Sequence, residues 1–389
     1  MDLQGRLQKH QEAGLYRQRR LLSSPQTPEQ CVDGQSLIGF CSNDYLGLAN
    51  HPKVIEAMVT AAQRYGVGAG ASHLVNGHHE THHDLETALA EFLGYPSVLL
   101  FSTGYMANTG TLNALLDRKS LVVQDRLNHA SLLDGGLSSG ATFKRFNHGD
   151  YSHLDQQLSG DSPQKWAVTD GIFSMDGDQA DLRRMANVCA KHNAGLMVDD
   201  AHGIGVCGPN GRGTVAQQGL GVTEVPVLVG TLGKACGTFG AFVAGSEQLT
   251  DALVQFARPY IYTTALPPAV AAASLTALQL LAQADEARAH LQQLQSRLRQ
   301  ELTAMGYHLW DSVSPIQPVM IGDAAQAMAY SDALLKRGLL VTAIRPPTVP
   351  KHTARLRVTL SASHTNQQLD QLLQAFCDLR HLDRSYHGA

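Results

Sequence analysis

A single lysine, Lys234, stands in the glycine-rich stretch GTLGKACGTFGAFVAG, residues 230–245. A phosphate-cradling P-loop needs four residues between its glycines and a Ser or Thr directly after the lysine. Only two residues separate Gly230 from Gly233 here, and alanine follows the lysine, so the spacing excludes a P-loop. Two interpretations stay open. The lysine is a surface residue in a turn, or its amine forms a Schiff base with a carbonyl cofactor, for which close-packed backbone leaves room for a flat ring.

The stretch LMVDDAHG places Asp199 at the end of a predicted buried strand and His202 three residues later. A carboxylate can keep a pyridine nitrogen protonated, which makes the ring an electron sink, and a histidine can hydrogen-bond the ring's phenolic oxygen. Side chains alternate along a strand, so only one of Asp199 and Asp200 can face such a ring. His129, in LNHAS, also follows a predicted strand and is a candidate for stacking on the ring. A helix-capping aspartate and a structural histidine remain the alternatives.

The stretch LLFSTGYMANTG is typical of a strand, a turn of small residues and a helix start. The free N–H groups and the dipole of a helix N-terminus suit a phosphate. Gly104 and Tyr105 would supply the nearest backbone. Ordinary capping of the helix by Ser102 or Thr103 is the alternative of similar weight.

The stretch HETHH, His79 to His83, matches the H-E-x-x-H pattern of helical zinc hydrolases, with Glu80 as the base. No third ligand is evident from the spacing. The same segment opens a predicted helix with one shared face, formed by His82, Leu85, Leu89 and Phe92. A polar helix start is therefore the favoured interpretation, and we expect no metal.

Short apolar runs alternate with helical patterns along the chain, which predicts an α/β fold with a mostly parallel sheet flanked by helices. The runs are SVLLFS, SLVVQD, KWAVTD, GLMVDD and PVLVGT. Ligands of open α/β sheets bind beyond the carboxyl ends of the strands. The strand-end residues expected to point toward one crevice are Ser102, Asp125, Asp170, Asp199 and Thr231.

The length of 389 residues exceeds what one core usually holds, so we expect more than one domain. The predicted units are an N-terminal helix and arm (1–45), a large cofactor-binding domain (46–285) and a small α+β C-terminal domain (286–389). The last unit begins with a predicted helix carrying Leu291, Leu294, Leu298 and Leu302 at helical spacing.

The composition predicts a soluble globular protein, with 43% hydrophobic and 16% charged residues. The net charge of −4 gives no argument for a nucleic-acid or membrane partner. The six cysteines form no C-x-x-C pair, and no stretch is typical of a signal or a membrane span. We therefore expect a cytoplasmic protein with reduced thiols.

Eight stretches taken together resemble the α-oxoamine synthases, a family of fold-type-I enzymes that depend on pyridoxal 5'-phosphate (PLP). They are CSNDYLGLANHP, STGYMAN, DRLNHASLLDG, TDGIFSMDGD, VDDAHGIGV, GTLGKACGTFGA, FARPYIYTTALPP and VTAIRPPTVPKHTARLRVTL. The similarity covers nearly the whole chain, in order. It implies that Lys234 carries the cofactor, that Asp199 pairs with the ring nitrogen and His202 with the ring oxygen, and that His129 stacks on the ring and touches substrate. The residues implied to line the cofactor are Gly104, Tyr105, Ser174 and Thr231.

The resemblance also implies substrate contacts and a homodimer with its active sites at the subunit interface. Arg357 matches the arginine that binds the amino-acid carboxylate. An N-terminal arginine binds substrate in this family, and Arg17 is the first choice over Arg19 and Arg20. Asn43 and Thr348 match further substrate contacts. Thr263 and Thr264 match residues that reach the partner's cofactor phosphate.

The implied reaction is the decarboxylative condensation of an amino acid with an acyl thioester. The loop AIRPPTVP and the stretch SPIQPVMIGD favour L-alanine and a pimeloyl thioester, carried by coenzyme A or acyl-carrier protein. Members that use glycine, 2-amino-3-ketobutyrate CoA ligase and 5-aminolevulinate synthase, are the nearest alternative.

Overall fold

The structure, a computed structural model, describes residues 2–12 and 15–380. The strands are β1 (Glu29–Val32), β2 (Gln35–Gly39), β3 (Ser97–Phe101), β4 (Ser120–Asp125), β5 (Thr142–Phe146), β6 (Gln164–Asp170), β7 (Gly195–Asp199), β8 (Val227–Thr231), β9 (Ala241–Gly245), β10 (His308–Leu309), β11 (Ile316–Gly322), β12 (Leu339–Leu340), β13 (Thr342–Ile344) and β14 (Ala354–Thr359). The helices are α1 (Leu3–Glu12), α2 (Pro52–Tyr65), α3 (Glu80–Leu93), α4 (Gly104–Leu115), α5 (Ala130–Ser138), α6 (Tyr151–Leu158), α7 (Leu182–Lys191), α8 (Thr214–Gln217), α9 (Glu247–Phe256), α10 (Arg258–Ile261), α11 (Pro268–Ala282), α12 (Asp285–Ala304), α13 (Ala324–Leu335) and α14 (Asn366–Leu379). A π-helical turn spans His73–Gly77, and a 3-10 turn spans Pro209–Gly211.

A seven-stranded sheet has the order β3-β9-β8-β7-β6-β4-β5. The strands β8, β7, β6, β4 and β5 run parallel, and β9 runs antiparallel to both of its neighbours. All five apolar runs form strands of this sheet. Every residue of β4 is buried, as expected for a strand covered on both faces. The predicted α/β fold with a mostly parallel sheet is therefore confirmed.

The C-terminal part carries a second, antiparallel sheet of order β10-β11-β14-β13. The N-terminal arm joins it through a third sheet, in which β2 pairs in parallel with β12. Beyond β2, the carbonyl of Phe40 accepts a hydrogen bond from the N–H of Thr359 at 2.7 Å. This contact places the residues after the arm beside the end of β14. The domain boundaries at 45/46 and 285/286 stay a prediction.

Helices cover the large sheet and connect it to the C-terminal part. The four leucines predicted to share one face, Leu291, Leu294, Leu298 and Leu302, are all buried on α12. The predicted helix opened by HETHH is α3, with His82, Leu85 and Leu89 on its buried face. Within the described ranges, no helix combines the length and the apolar character that a membrane span requires.

Candidate active site

A cavity of about 190 Å³ opens at the carboxyl ends of β6, β7 and β8. Nine residues predicted for the site or for the strand ends line it: Gly104, Tyr105, His129, Asp170, Ser174, Asp199, His202, Thr231 and Lys234. Parallel strands that are neighbours end at the same edge of the sheet, which is why residues far apart in sequence meet here.

Two of the strand-end residues do not line this cavity, so their prediction was wrong. Ser102 follows β3, the edge strand, which β9 separates from the cavity strands. Asp125 ends β4, which lies outside the three cavity strands on the opposite side. The carboxylate of Asp125 instead faces His148, 3.1 Å away. His148 also reaches Asp178 at 2.8 Å. Asp125 therefore belongs to an ion-pair cluster and not to the cavity lining.

Lys234 lies in the loop that joins β8 to β9. The loop is closed by hydrogen bonds from Leu232 N–H to the Gly240 carbonyl (2.9 Å) and from Gly237 N–H to the Lys234 carbonyl (2.8 Å). Gly237 has a φ of +66°, and a Cβ there would come within 2.3 Å of the Ala49 backbone nitrogen. The loop therefore needs glycine to pack against neighbouring backbone, and the packing directs the single amine into the cavity.

The Nζ atom of Lys234 lies 2.9 Å from Nε2 of His202. Burial lowers the pKa of Lys234, while the carboxylates of Asp199 and Asp170 oppose that shift. Burial, followed by the positive charge of Lys234, holds the pKa of His202 well below its ordinary value. A neutral His202 can therefore accept a hydrogen bond from the lysine at Nε2, with its own proton on Nδ1.

Tyr45 holds His202 from the other side, because Tyr45 Oη lies 2.6 Å from Nδ1 of His202. With the proton on Nδ1, the ring donates to the phenol, which lies 3.4 Å from the Asn43 side-chain carbonyl. Burial raises the pKa of Tyr45 to about 12, so the phenol keeps its proton. The sequence analysis missed Tyr45, although it lies inside the quoted stretch CSNDYLGL.

Asp199 and Asp200 point in different directions, as strand alternation requires. Oδ2 of Asp199 accepts a hydrogen bond from the Asn108 amide at 2.6 Å, and Oδ1 accepts one from Ala201 N–H at 3.0 Å. Asp200 is turned away and accepts from Thr214 N–H at 2.6 Å. Asn108 was also missed, and the available signal was its position one helical turn after Gly104 on α4.

His129 is the N-cap residue of α5, and its Nδ1 lies 2.7 Å from Ser131 Oγ. Its backbone N–H donates to the Asp170 carboxylate at 2.7 Å. Burial lowers the pKa of His129, so the imidazole is neutral near neutral pH. Burial and the negative charge of Asp199 raise the pKa of Asp170 well above its ordinary value. The hydrogen bonds to Ser131 and Asp170 thus hold His129 in place, and its uncharged ring lines the cavity.

The N-terminus of α4 forms another wall of the cavity. Its cap is Thr103, which accepts from Met106 N–H at 3.1 Å, so the capping interpretation of this turn is confirmed. The phosphate interpretation stays a prediction. A Cβ added to Gly104 would meet nothing within 4 Å, which leaves open space in front of the helix end. The N–H groups of Gly104 and Tyr105 have no partners within the helix, because they belong to its first turn.

Arg357 lies at the rim of the cavity, held by three hydrogen bonds. Nε donates to the Ser174 carbonyl (2.7 Å), Nη1 to Thr359 Oγ1 (3.0 Å) and Nη2 to Asn43 Oδ1 (3.4 Å). Ser174 lines the cavity, so the guanidinium is adjacent to it. The predicted substrate contacts Asn43 and Arg357 are therefore brought together with the predicted cofactor residues.

A second cavity, of about 460 Å³, lies between the N-terminal arm and the C-terminal part. Arg17, Arg20 and Thr348 line it, and Arg19 does not. Cys41 lines it as well. Burial raises the pKa of the Cys41 thiol, and the nearby charge of Arg357 opposes this shift. Thr342, which lines the second cavity, pairs with Arg357 in the register of β13 and β14, so Arg357 lies between the two cavities.

Three further predictions concern residues outside these cavities. Thr263 and Thr264 line neither one. In HETHH, the Glu80 carboxylate is already engaged, since it pairs with Arg64 at 3.1 Å and accepts from Tyr65 at 2.9 Å. The geometry of that segment therefore gives no support to a hydrolase.

The residues that line the first cavity fit PLP. An amine for its aldehyde, a carboxylate for its ring nitrogen and an open helix N-terminus for its phosphate all face the same space. The Oδ1 atom of Asn108, beside Asp199, is buried without a hydrogen-bond partner. A bound polar group is one way for such an atom to be satisfied.

Comparisons with known proteins also indicate a PLP-dependent enzyme. A family model described as aminotransferase class I and II matches residues 35–376. The chain is 59% identical over 377 residues to an 8-amino-7-oxononanoate synthase of Pseudomonas putida, covering 97% of each chain. It is also similar to a solved 8-amino-7-oxononanoate synthase from Francisella tularensis, with 32% identity, a TM-score of 0.79 and coverage of 90% of this chain and 99% of the other. A serine palmitoyltransferase from S. paucimobilis, solved with bound PLP–myriocin aldimine, has 35% identity, a TM-score of 0.92 and coverage of 98% of both chains.

Proposed function

This chain belongs to the 8-amino-7-oxononanoate synthase family, within the aminotransferases of class I and II, and we propose that it condenses L-alanine with a pimeloyl thioester. The products are 8-amino-7-oxononanoate, carbon dioxide and the free thiol of the acyl carrier, a step of biotin biosynthesis. The carrier is coenzyme A or acyl-carrier protein. The enzyme is a PLP-dependent acyltransferase.

The observation that carries this proposal is the position of the Lys234 amine, 2.9 Å from a neutral His202 and in the same cavity as the Asp199 carboxylate. When bound, PLP supplies an electron-accepting ring that stabilises negative charge on the amino-acid Cα. Asp199, fixed by Asn108 and by backbone, would hold the ring nitrogen. His202 would hold the ring oxygen, and His129 would stack on the ring.

Lys234 has two successive tasks in this proposal. Its amine would first hold the cofactor, and it would be freed when L-alanine takes its place. The freed amine, whose pKa burial lowers, removes the Cα proton of alanine as a general base. That carbon forms a bond to the thioester carbonyl, and the bond to sulfur breaks, so that the thiol leaves. The former alanine carboxylate departs as carbon dioxide, and a proton returns to the carbon.

Two arginine positions would bind the two substrates. Arg357 would bind the carboxylate of L-alanine, for which a planar guanidinium offers two parallel donors. It lies next to Asn43, and both are at the rim of the cofactor cavity. Arg17, with Arg20 beside it and Thr348 across the second cavity, would contact the pimeloyl donor. The position of Arg357 between the cavities would bring the reacting carbons together.

We further propose a homodimer with the active site at the subunit interface. Thr263 and Thr264 lie outside the cavities of their own chain, as expected of residues that reach the partner's cofactor phosphate. Apolar side chains close to these threonines in sequence, and in the segment before α3, are highly exposed. Tyr262, next to Thr263, is 71% exposed, and Val67 and Val75, before α3, are 86% and 77% exposed. Exposed apolar surface of this kind favours association. A cytoplasmic location accords with the six free cysteines.

Thiol release measured with a matrix of substrates tests the proposed function. L-alanine and glycine are each combined with pimeloyl, acetyl and succinyl thioesters of coenzyme A and of acyl-carrier protein. The proposal predicts turnover with L-alanine and a pimeloyl thioester, and much slower release in the other pairs. Preference for glycine with an acetyl thioester would identify a ketobutyrate ligase, and preference for glycine with a succinyl thioester an aminolevulinate synthase. Either result would refute the proposed substrates.

A further inference from the structure

The histidine-rich segment 73–83 has no part in the proposed reaction. It brings two groups of possible metal ligands together: His73, His78 and His82, and His78, His83 and Glu86. Within each group, the ligand atoms all lie within 4.8 Å of one another. The two groups share His78, so at most one of them can be a metal site at a time.

Hydrogen bonds exclude the first group. Nε2 of His82 donates to the Leu266 carbonyl at 2.6 Å, and Nδ1 of His82 accepts from the His79 N–H at 2.9 Å. Both ring nitrogens are engaged, and breaking either bond would leave a buried backbone group unpaired. His82 therefore anchors the start of α3 and is not available to a metal.

The second group has free ligand atoms. His83 and Glu86 lie three residues apart on α3, so their side chains project from the same face of the helix. Nε2 of His78 lies 3.9 Å from Oε2 of Glu86. Oε1 of Glu86 accepts from Leu100 N–H at 2.9 Å, which orients the carboxylate and leaves Oε2 for another partner.

The charge balance favours a cation at this position. The Glu86 side chain is only 14% exposed. Among the described residues, no lysine or arginine forms an ion pair with it. A carboxylate with so little water around it and no cation is costly, and a divalent ion would supply the missing charge.

His73 completes the arrangement by contacting His78 on the side away from Glu86. Its Nδ1 lies 2.9 Å from Nδ1 of His78. With the His78 proton donated to His73 at this contact, Nε2 of His78 presents a lone pair toward Glu86. Metal-ligating histidines usually donate their other ring N–H in this manner. The ring of His73 is itself fixed by stacking on Tyr260, with centroids 5.1 Å apart.

We propose that His78, His83 and Glu86 bind a zinc ion, with His73 orienting His78. Two imidazoles and one carboxylate leave a fourth tetrahedral position for water. Zinc bonds to nitrogen and oxygen of about 2.0–2.1 Å place neighbouring ligand atoms roughly 3.3 Å apart, so the side chains need to close by about an ångström. The ion would link His78, in the loop before α3, to His83 and Glu86 on the helix. This site differs from the H-E-x-x-H pair, since it uses His78 in place of His79.

The test uses the PLP-loaded enzyme after treatment with a chelator. Zinc chloride is titrated into it while calorimetry measures binding, and the unfolding temperature is then measured with and without zinc. One zinc ion per chain is expected, with a rise in the unfolding temperature. His83→Gln and Glu86→Gln should each weaken binding at least tenfold and abolish that rise. His73→Ala should weaken zinc binding by about 10–100-fold, the usual effect of removing a residue that orients a ligating histidine.

His79→Gln is the matched control, because it removes a histidine from the same helix start without removing a proposed ligand. It should leave zinc affinity unchanged. Zinc binding that is absent or substoichiometric would overturn the proposal. So would affinity that survives both His83→Gln and Glu86→Gln, or affinity lost with His79→Gln, which would assign the ion to other residues.

Discussion

Nζ of Lys234 and Nε2 of His202 lie 2.9 Å apart, although 32 residues separate them in sequence. The pair exists because the carboxyl ends of β7 and β8 are neighbours, and each strand is followed by a short loop that carries one of the two residues. Burial lowers the pKa of both groups, which favours the uncharged amine and the uncharged imidazole. This contact is the geometric basis for a lysine that acts as a base.

Asp199→Asn should reduce kcat at least about 100-fold, the usual effect of removing one preorganised electrostatic group. The reason is that, of the neighbouring pair Asp199 and Asp200, only Asp199 lines the cavity, where its carboxylate can hold a proton on the ring nitrogen. Asp200→Asn is the control, because Asp200 contacts Thr214 and not the cavity. It should keep most of the activity. Steady-state kinetics of both variants decide the assignment, which fails if Asp200→Asn is the more damaging change.

Tyr45→Phe should lower kcat by roughly fivefold, which corresponds to about 1 kcal/mol for one hydrogen bond. The variant removes the phenol that fixes His202 at Nδ1, 2.6 Å away. KM for L-alanine should change little. Tyr330→Phe removes another buried phenol, far from the cavity in the C-terminal part, and should affect stability without affecting kcat. Equal kcat values for Tyr45→Phe and the wild type would contradict the positioning role.

Arg357→Lys should raise KM for L-alanine by about 10–100-fold, since hydrogen bonds between charged groups contribute about 1.5–3 kcal/mol each. Arg355 provides the comparison, two residues earlier on β14, where its guanidinium pairs with buried Asp176. Arg355→Gln leaves that carboxylate unpaired and should cost about 3–5 kcal/mol of folding stability. Its KM should stay near the wild-type value. An unchanged KM in Arg357→Lys would remove Arg357 from the amino-acid site.

The cluster of His148, Asp125 and Asp178 should make stability depend on pH. Burial alone would lower the pKa of His148, but hydrogen bonds and charges of the two aspartates raise it to about 10, from an ordinary value of 6.5. Because the folded pKa is the higher one, the stabilisation is complete below about pH 6.5 and is lost as the pH rises toward 10.

Urea unfolding of the wild type and of His148→Gln at pH 6, 8 and 10 measures this effect. The difference in the free energy of unfolding between the two proteins should be largest at pH 6 and smallest at pH 10. A difference that is constant over this range would contradict the raised pKa of His148 in the folded protein.

The parallel sheet and much of the site could be predicted because local patterns determine them. Apolar runs mark the buried strands, and parallel neighbours end at one edge, so Asp170, Asp199 and Thr231 had to approach each other. Strand order is not a local property. The apolar runs therefore could not predict that Asp125 lies outside the cavity and faces His148 instead.

Long-range pairing explains the residues that were missed. Tyr45 and His202 are 157 residues apart, and they meet because the arm strand β2 pairs with β12 near the end of β14. No periodicity in the arm predicts that pairing. The proposed metal ligands were not predicted for a related reason. The spacing pattern selected His79, while the turn before α3 brings His78 toward Glu86.

The most direct measurement of the central claim is to reduce the PLP-loaded enzyme with borohydride, digest it and locate the retained cofactor by mass spectrometry. We predict the phosphopyridoxyl mass on the peptide that contains Lys234, its absence from Lys234→Ala, and a loss of kcat in that variant of at least about 100-fold. Cofactor on a different lysine, or a modified protein that persists in Lys234→Ala, would contradict the account.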